Sequence, residues 1–246
     1  MTVFVVMAGA REMGLTWDES LAHFTGSEIL REWLVVVRDG FQAGRWGAIT
    51  DPSILHKYWP VAAPEEQVYF IVNYHPPLTR ILPTLTWYLF HGWIGETLAY
   101  RLAPALLFAF SILVVFRFMA REFDYASGLF SALSLLLMPR VFGHAHIAAT
   151  DMAMMSFWLF CVVAFYKGLT DRRWSYIFAV LLGLAWSVKF TGFMIPLALI
   201  LYLILARETR AWRNIAVSFF ISPVILFLLN PTWWRIPCPP FLTIIW

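Results

Sequence analysis

The chain offers a small set of side chains suited to proton transfer and anion binding. Asp18 and Glu19 stand side by side in WDES. Adjacent carboxylates near apolar walls let one remove a proton from a hydroxyl while the other positions the reacting group. The same residues also suit a helix start: Thr16 and Glu19 have the spacing of a capping box, and Asp18 favours a helix N-terminus. Asp151, in HIAATDMAMM, opens an apolar run, where an acid is costly and marks either a reaction site or a helix N-terminus. Arg101 in YRLAPAL and Lys189 in SVKFTG are cations set in apolar sequence. Either can hold a phosphate, the guanidinium in bidentate fashion, or simply snorkel to headgroups. His75-Pro76-Pro77 holds an imidazole on rigid, extended backbone, or forms an entry turn to a helix. His144 and His146 with Asp151 resemble a partial ligand set, but no further ligand follows at metal spacing, so no metal or other cofactor is assigned.

The elements that carry these groups are set by composition. Of 246 residues, 61% are hydrophobic and 13% charged, against about 45–50% and about 25% in an ordinary soluble domain. Mean hydropathy is +0.70. The chain is therefore expected to be an all-α, multi-pass integral membrane protein. A net charge of +3, with the basic residues in short loops, speaks for membrane topology and against nucleic-acid binding. Aromatics make up 18%, including 13 Trp, which suits interfacial belts first and lipid or sugar clefts second. Cys161 falls in an expected span and Cys238 near the C-terminus, so no disulfide is read.

Three regions follow in order. Residues 1–10 are apolar but too short to span, and are expected to be the outer half of a first transmembrane helix. Residues 11–92 form a polar outer loop. Within it Ala22, Gly26, Ile29, Leu30, Trp33 and Val37 recur at helical spacing, which predicts an amphipathic helix on the membrane surface. Residues 40–64 are expected to be irregular, and Leu78–Phe90, with Arg80 and Pro83, to form a second interfacial or re-entrant helix. Residues 93–246 are expected to form a bundle of spans near 102–118, 126–139, 151–167, 175–188, 190–206 and 214–230. The apolar ends suggest a fragment of a longer chain.

Arg117 and Arg121, then Lys167, Arg172 and Arg173, then Arg207, Arg210 and Arg213 follow alternate spans. The positive-inside rule places these loops in the cytoplasm. Asp18, Glu19, His75, Asp151 and Lys189 then share the opposite, extracytoplasmic face.

In that order the motifs resemble the GT-C superfamily of membrane glycosyltransferases, most of all the protein O-mannosyltransferase family and its bacterial relatives. Asp18-Glu19 is similar to the family's early acid pair, and His75 to Leu78 to its HPPL turn. Arg101, Pro104 and Ala105 match its Arg-x-x-Pro-Ala motif, and Asp151 its second outer acid. KFTG at Lys189 and the Asn-Pro-aromatic stretch at Asn230 are weaker likenesses. The resemblance implies a GT-C helical bundle with amphipathic surface helices in the first outer loop. It implies transfer of a sugar from a polyprenyl- or dolichyl-phosphate donor to an acceptor hydroxyl on a protein, lipid or glycan, at the outer face of the membrane (the inner or plasma membrane in a bacterium). Asp18 would act as base, Glu19 and Asp151 would orient sugar or acceptor, and His75, Arg101 and Lys189 would bind substrate. A lipid phosphate leaves as a monoester, so no metal is obligatory. Two other readings are a lipid or solute transporter or flippase, and an inactive fragment. The absence of an internal repeat and the one-sided charges weigh against the transporter.

Overall fold

A computed structural model describes residues 1–17, 19–59 and 75–235, and among these the chain is helical throughout. Helix α1 (Thr2–Ala10) buries Val6 and Ala10. A π-helical turn (Glu19–Phe24) runs directly into α2 (Thr25–Gln42). The expected periodicity is realised in α2: Gly26, Ile29, Leu30, Trp33 and Val37 are all buried. Each large apolar side chain so buried contributes about 1.5–3 kcal/mol.

The stretch expected to be irregular contains a short helix, α3 (Pro52–Tyr58). Asp51 caps it by accepting from the Ser53 backbone N–H at 2.9 Å, and Pro52 occupies its first turn, where a missing N–H costs nothing. The Asp-Pro-Ser signal was in the sequence but was outweighed by the surrounding Gly and Pro. Trp33, Trp59 and Leu55 then form a compact apolar cluster between α2 and α3, with the two indoles edge to face. Several tryptophans thus pack inside a joint rather than in a belt.

Helix α4 (Leu78–Ile94) accommodates Pro83 and carries Trp87. Trp87 stacks on His91 at 3.8 Å, and the Arg31 guanidinium from α2 lies 3.7 Å from its ring centroid. That cation–π contact joins the first-loop helix to the bundle.

The bundle comprises α5 (Glu96–Glu122), α6 (Tyr125–Leu136), α7 (Pro139–His144), α8 (Thr150–Gly168), α9 (Arg172–Trp186), α10 (Met194–Ala206) and α11 (Trp212–Leu229). Among the described residues three helical stretches are long and apolar enough to cross a membrane: Glu96–Glu122, Thr150–Gly168 and Thr209–Leu229. Tyr125–Leu136 and Phe190–Ala206 are apolar but shorter. The six spans expected from hydropathy, several of them short, are unequal, and the backbone breaks at Met138-Pro139 and again between Ser187 and Lys189. At 27 residues, α5 is about 40 Å long and exceeds the roughly 30 Å hydrocarbon core, so it tilts or projects.

Small and polar residues hold the bundle. Ser111 of α5 donates to Ser156 of α8 at 3.0 Å, and Ser222 of α11 to the Ala179 carbonyl of α9 at 2.7 Å. A Cβ on Gly183 would lie 2.6 Å from the Ile225 Cβ, so glycine is what lets α9 and α11 approach. Buried Asn214 accepts from Ser175 at 2.7 Å and donates to the Phe165 carbonyl at 2.8 Å. Near it Arg213 donates to Ser175 and to the Gly168 carbonyl, and Tyr166 donates to Glu122 at 3.0 Å. The ends of α5 and α8 and the starts of α9 and α11, which carry the basic loops, therefore meet at one end of the bundle.

Candidate active site

At the other end, Glu19 sits on the first turn after the loop that leaves α1, and Arg101 in the second turn of α5. Their side chains are 0% and 1% exposed and form a bidentate pair: Nε to Oε1 at 2.8 Å and Nη2 to Oε2 at 2.7 Å. Arg101 also donates to the carbonyls of Ala10 (2.7 Å), Met13 (2.9 Å) and Gly14 (2.9 Å). A guanidinium has five N–H donors, so every one is used within the protein. The helix end of α1 and the loop after it are wound around this one side chain.

Glu19 is matched just as fully. Its Oε1 accepts from the Ala148 backbone N–H at 2.9 Å, and its Oε2 from the Thr16 backbone N–H at 3.1 Å. The second contact is half of the expected capping box. Burial pushes the Glu19 carboxyl up. The Arg101 hydrogen bonds, those from Ala148 and Thr16, and the Arg101 charge outweigh it and hold the group below its ordinary value.

The bond from Ala148 carries the first loop to the α7–α8 connection, three residues before Asp151. Asp151 stands in the first turn of α8, after Ala149, whose side chain makes no cap. It is half exposed, at 51%, and accepts from Lys189 Nζ at 3.2 Å. His144, at the end of α7, puts its Nδ1 3.9 Å from the other carboxylate oxygen. Lys189 lies on the break between α9 and the 3-10 turn Phe190–Phe193. The same break is tied to the HPPL turn, because the Leu78 backbone N–H donates to the Ser187 carbonyl at 2.9 Å. Three irregular connections thus converge: the end of α7, the break after α9, and the entry to α4.

His75 stacks on His23, with ring centroids 6.2 Å apart and planes 7° from parallel. His23 lies in the π-helical turn and is 2% exposed. Sequence reading passed over His23 because a lone histidine in an apolar stretch carries no spacing signal. His144 was noticed only as half of a metal pair. The pair does not act together: His146 places its Nδ1 2.7 Å from the Phe142 carbonyl and packs its ring on Phe142, while His144 faces Asp151. Among the described residues no group of three or more His, Cys, Asp or Glu is arranged to hold a metal ion.

Of the six expected site residues, Glu19 and Arg101 meet each other, and Asp151 and Lys189 meet each other. Backbone bonds link these pairs to one another and to the turn that bears His75. Asp18 lies outside the described residues.

Comparison with known proteins follows the same outline. A family model described as dolichyl-phosphate-mannose-protein mannosyltransferase matches residues 74–234. The fold is similar to the crystal structure of ArnT from Cupriavidus metallidurans in the apo state, with a TM-score of 0.60 and 22% identity. That match covers 94% of this chain and 39% of the ArnT chain, so this chain spans well under half of ArnT's length. At that identity the likeness speaks for the fold alone. No curated protein sequence matches this chain.

Proposed function

Because the chain belongs to the dolichyl-phosphate-mannose-protein mannosyltransferase family, we propose that it transfers a sugar from a polyprenyl- or dolichyl-phosphate donor to an acceptor hydroxyl. The reaction is placed at the extracytoplasmic face, opposite the basic loops. The acceptor oxygen attacks the anomeric carbon, the bond from that carbon to the phosphate oxygen breaks, and the lipid phosphate monoester leaves. The acceptor proton goes to a carboxylate, and the anomeric configuration inverts.

The observation that carries the reading is the half-exposed Asp151–Lys189 pair, with Asp151 three residues after Ala148, whose backbone N–H is bonded to the buried Glu19–Arg101 pair. Lys189 is positioned to stabilise charge developing on the leaving phosphate. Asp151 orients the sugar or the acceptor hydroxyl. Asp18 is proposed as the base, from its place next to Glu19 in the sequence. Glu19 and Arg101 are assigned a positioning role here, in place of the acceptor-orienting and phosphate-holding roles the sequence suggested. All five donors of Arg101 are already committed, and neither side chain is exposed. His75 is proposed to face substrate from the HPPL turn, with His23 behind it.

The test is incubation of membranes containing this chain with labelled polyprenyl-phosphate sugars, followed by identification of the labelled product. Transfer that disappears in Asp18→Asn and in Asp151→Asn, with both proteins still folded, supports the assignment. Undiminished transfer in either variant removes that residue from its role.

A further inference from the structure

A second site lies along α1, with none of the candidate reaction groups in its lining. Helix α1 turns Val6 and Ala10 inwards, and Val6 packs with Ala105, Phe108 and Met152. Phe4, Met7 and Arg11 follow one another along α1 as a helical stripe beside that face, with Met7 also touching the Val6 cluster. Phe90 and Ile94 from the end of α4, and Leu98 from the start of α5, supply the facing wall. Together they enclose a groove of about 310 Å³ whose lining is apolar except for Arg11.

The charge stands at one end. From Phe4 to Arg11 the helix rises about 10 Å. Arg11 ends α1 where the chain enters the loop to Glu19, at the bundle end that holds the candidate site, and Phe4 lies deeper. The Arg11 side chain is exposed and has no hydrogen bond or ion pair among the described residues. A cation at the interfacial end of an apolar cleft, with the cleft running into the membrane, complements an anionic headgroup above an acyl chain.

We infer that this groove holds an anionic bilayer phospholipid, with its phosphate on Arg11 and a chain lying between α1 and the α4–α5 corner. The occupant is a bilayer lipid and not the sugar donor, because Glu19, Arg101, Asp151 and Lys189 are all absent from the lining of the groove. This site does not depend on the transferase reading, and it is measured without any sugar transfer.

The experiment is native mass spectrometry of the detergent-solubilised chain with equimolar phosphatidylglycerol and phosphatidylcholine. Wild type is expected to retain phosphatidylglycerol about fivefold better, the effect of one basic residue at an anionic headgroup. Arg11→Gln should bind the two lipids equally, and Arg11→Lys should keep the preference. Ala8→Trp, which fills the groove from an exposed position, should lose both adducts. Equal retention by wild type, a preference that survives in Arg11→Gln, or undiminished adducts in Ala8→Trp would each overturn the site. Displacement of phosphatidylglycerol by equimolar polyprenyl phosphate would overturn the assignment to a bilayer lipid.

Discussion

The candidate site contains two acid–base pairs of the same formal kind in opposite settings. Glu19 and Arg101 are sealed, with every polar atom of the guanidinium matched by the protein. Asp151 and Lys189 are one-third to one-half exposed, and a single contact of 3.2 Å joins them. The first arrangement resists any change of partner. The second leaves both groups able to exchange partners with a ligand. A buried pair costs much to break and offers nothing to substrate, whereas an open pair contributes little to stability and is available for chemistry. Two carboxylate–cation pairs of the same charge type therefore differ in their availability to a ligand through burial and hydrogen-bond saturation.

The sharpest way to break this contrast is Arg101→Ala. It strands the Glu19 carboxylate and three loop carbonyls, and should destabilise the protein by about 3–5 kcal/mol, a loss of about 10 °C or more in Tm. A thermal-unfolding midpoint within about 2 °C of wild type would show that the pair is not a scaffold. Asp151→Asn should do the reverse: stability within about 1 kcal/mol of wild type, with transfer of labelled sugar reduced by about a hundredfold or more. A large loss of stability in that variant would erase the distinction between the two pairs.

Glu19→Gln is intermediate. It keeps shape and some hydrogen bonds but removes the charge opposite Arg101, and should cost about 1–3 kcal/mol in denaturant titration. Acid sharpens the same point. The folded state holds Glu19 below its ordinary value of 4.5, so the unfolded chain takes up the proton first as pH falls. The stabilisation is complete above the ordinary carboxylate range and is lost as pH drops through the lowered folded value. Unfolding midpoints measured downwards from pH 6 should therefore fall in wild type and change less in Glu19→Gln. The smallest effect belongs to Lys189→Met, whose stability cost should lie below about 1 kcal/mol and shrink further in high salt.

Much of the outline was legible before any coordinates. Composition established the membrane class, and the 3.6-residue recurrence of Ile29, Leu30, Trp33 and Val37 marked the buried face of α2. The alternating basic loops grouped Glu19, His75, Asp151 and Lys189 on one face. Both signals are legible because they are local: periodicity and charge are properties of neighbouring residues. α3 was missed because a short capped helix competes with the Gly and Pro around it. Several spans were already short by hydropathy, but hydropathy averages over the backbone breaks at Pro139 and Ser187 and so did not locate them.

Which residues would carry charge was written in the chain. Their roles were not. Arg101 and Lys189 look alike as isolated cations in apolar sequence. Only folding wraps the Ala10–Gly14 carbonyls and Glu19 around one and leaves the other beside an open carboxylate. His23 and Ala148 enter the site by the same route, through contacts 52 and 129 residues apart. Burial and hydrogen-bond saturation depend on groups brought together from distant parts of the chain, so no local pattern encodes them.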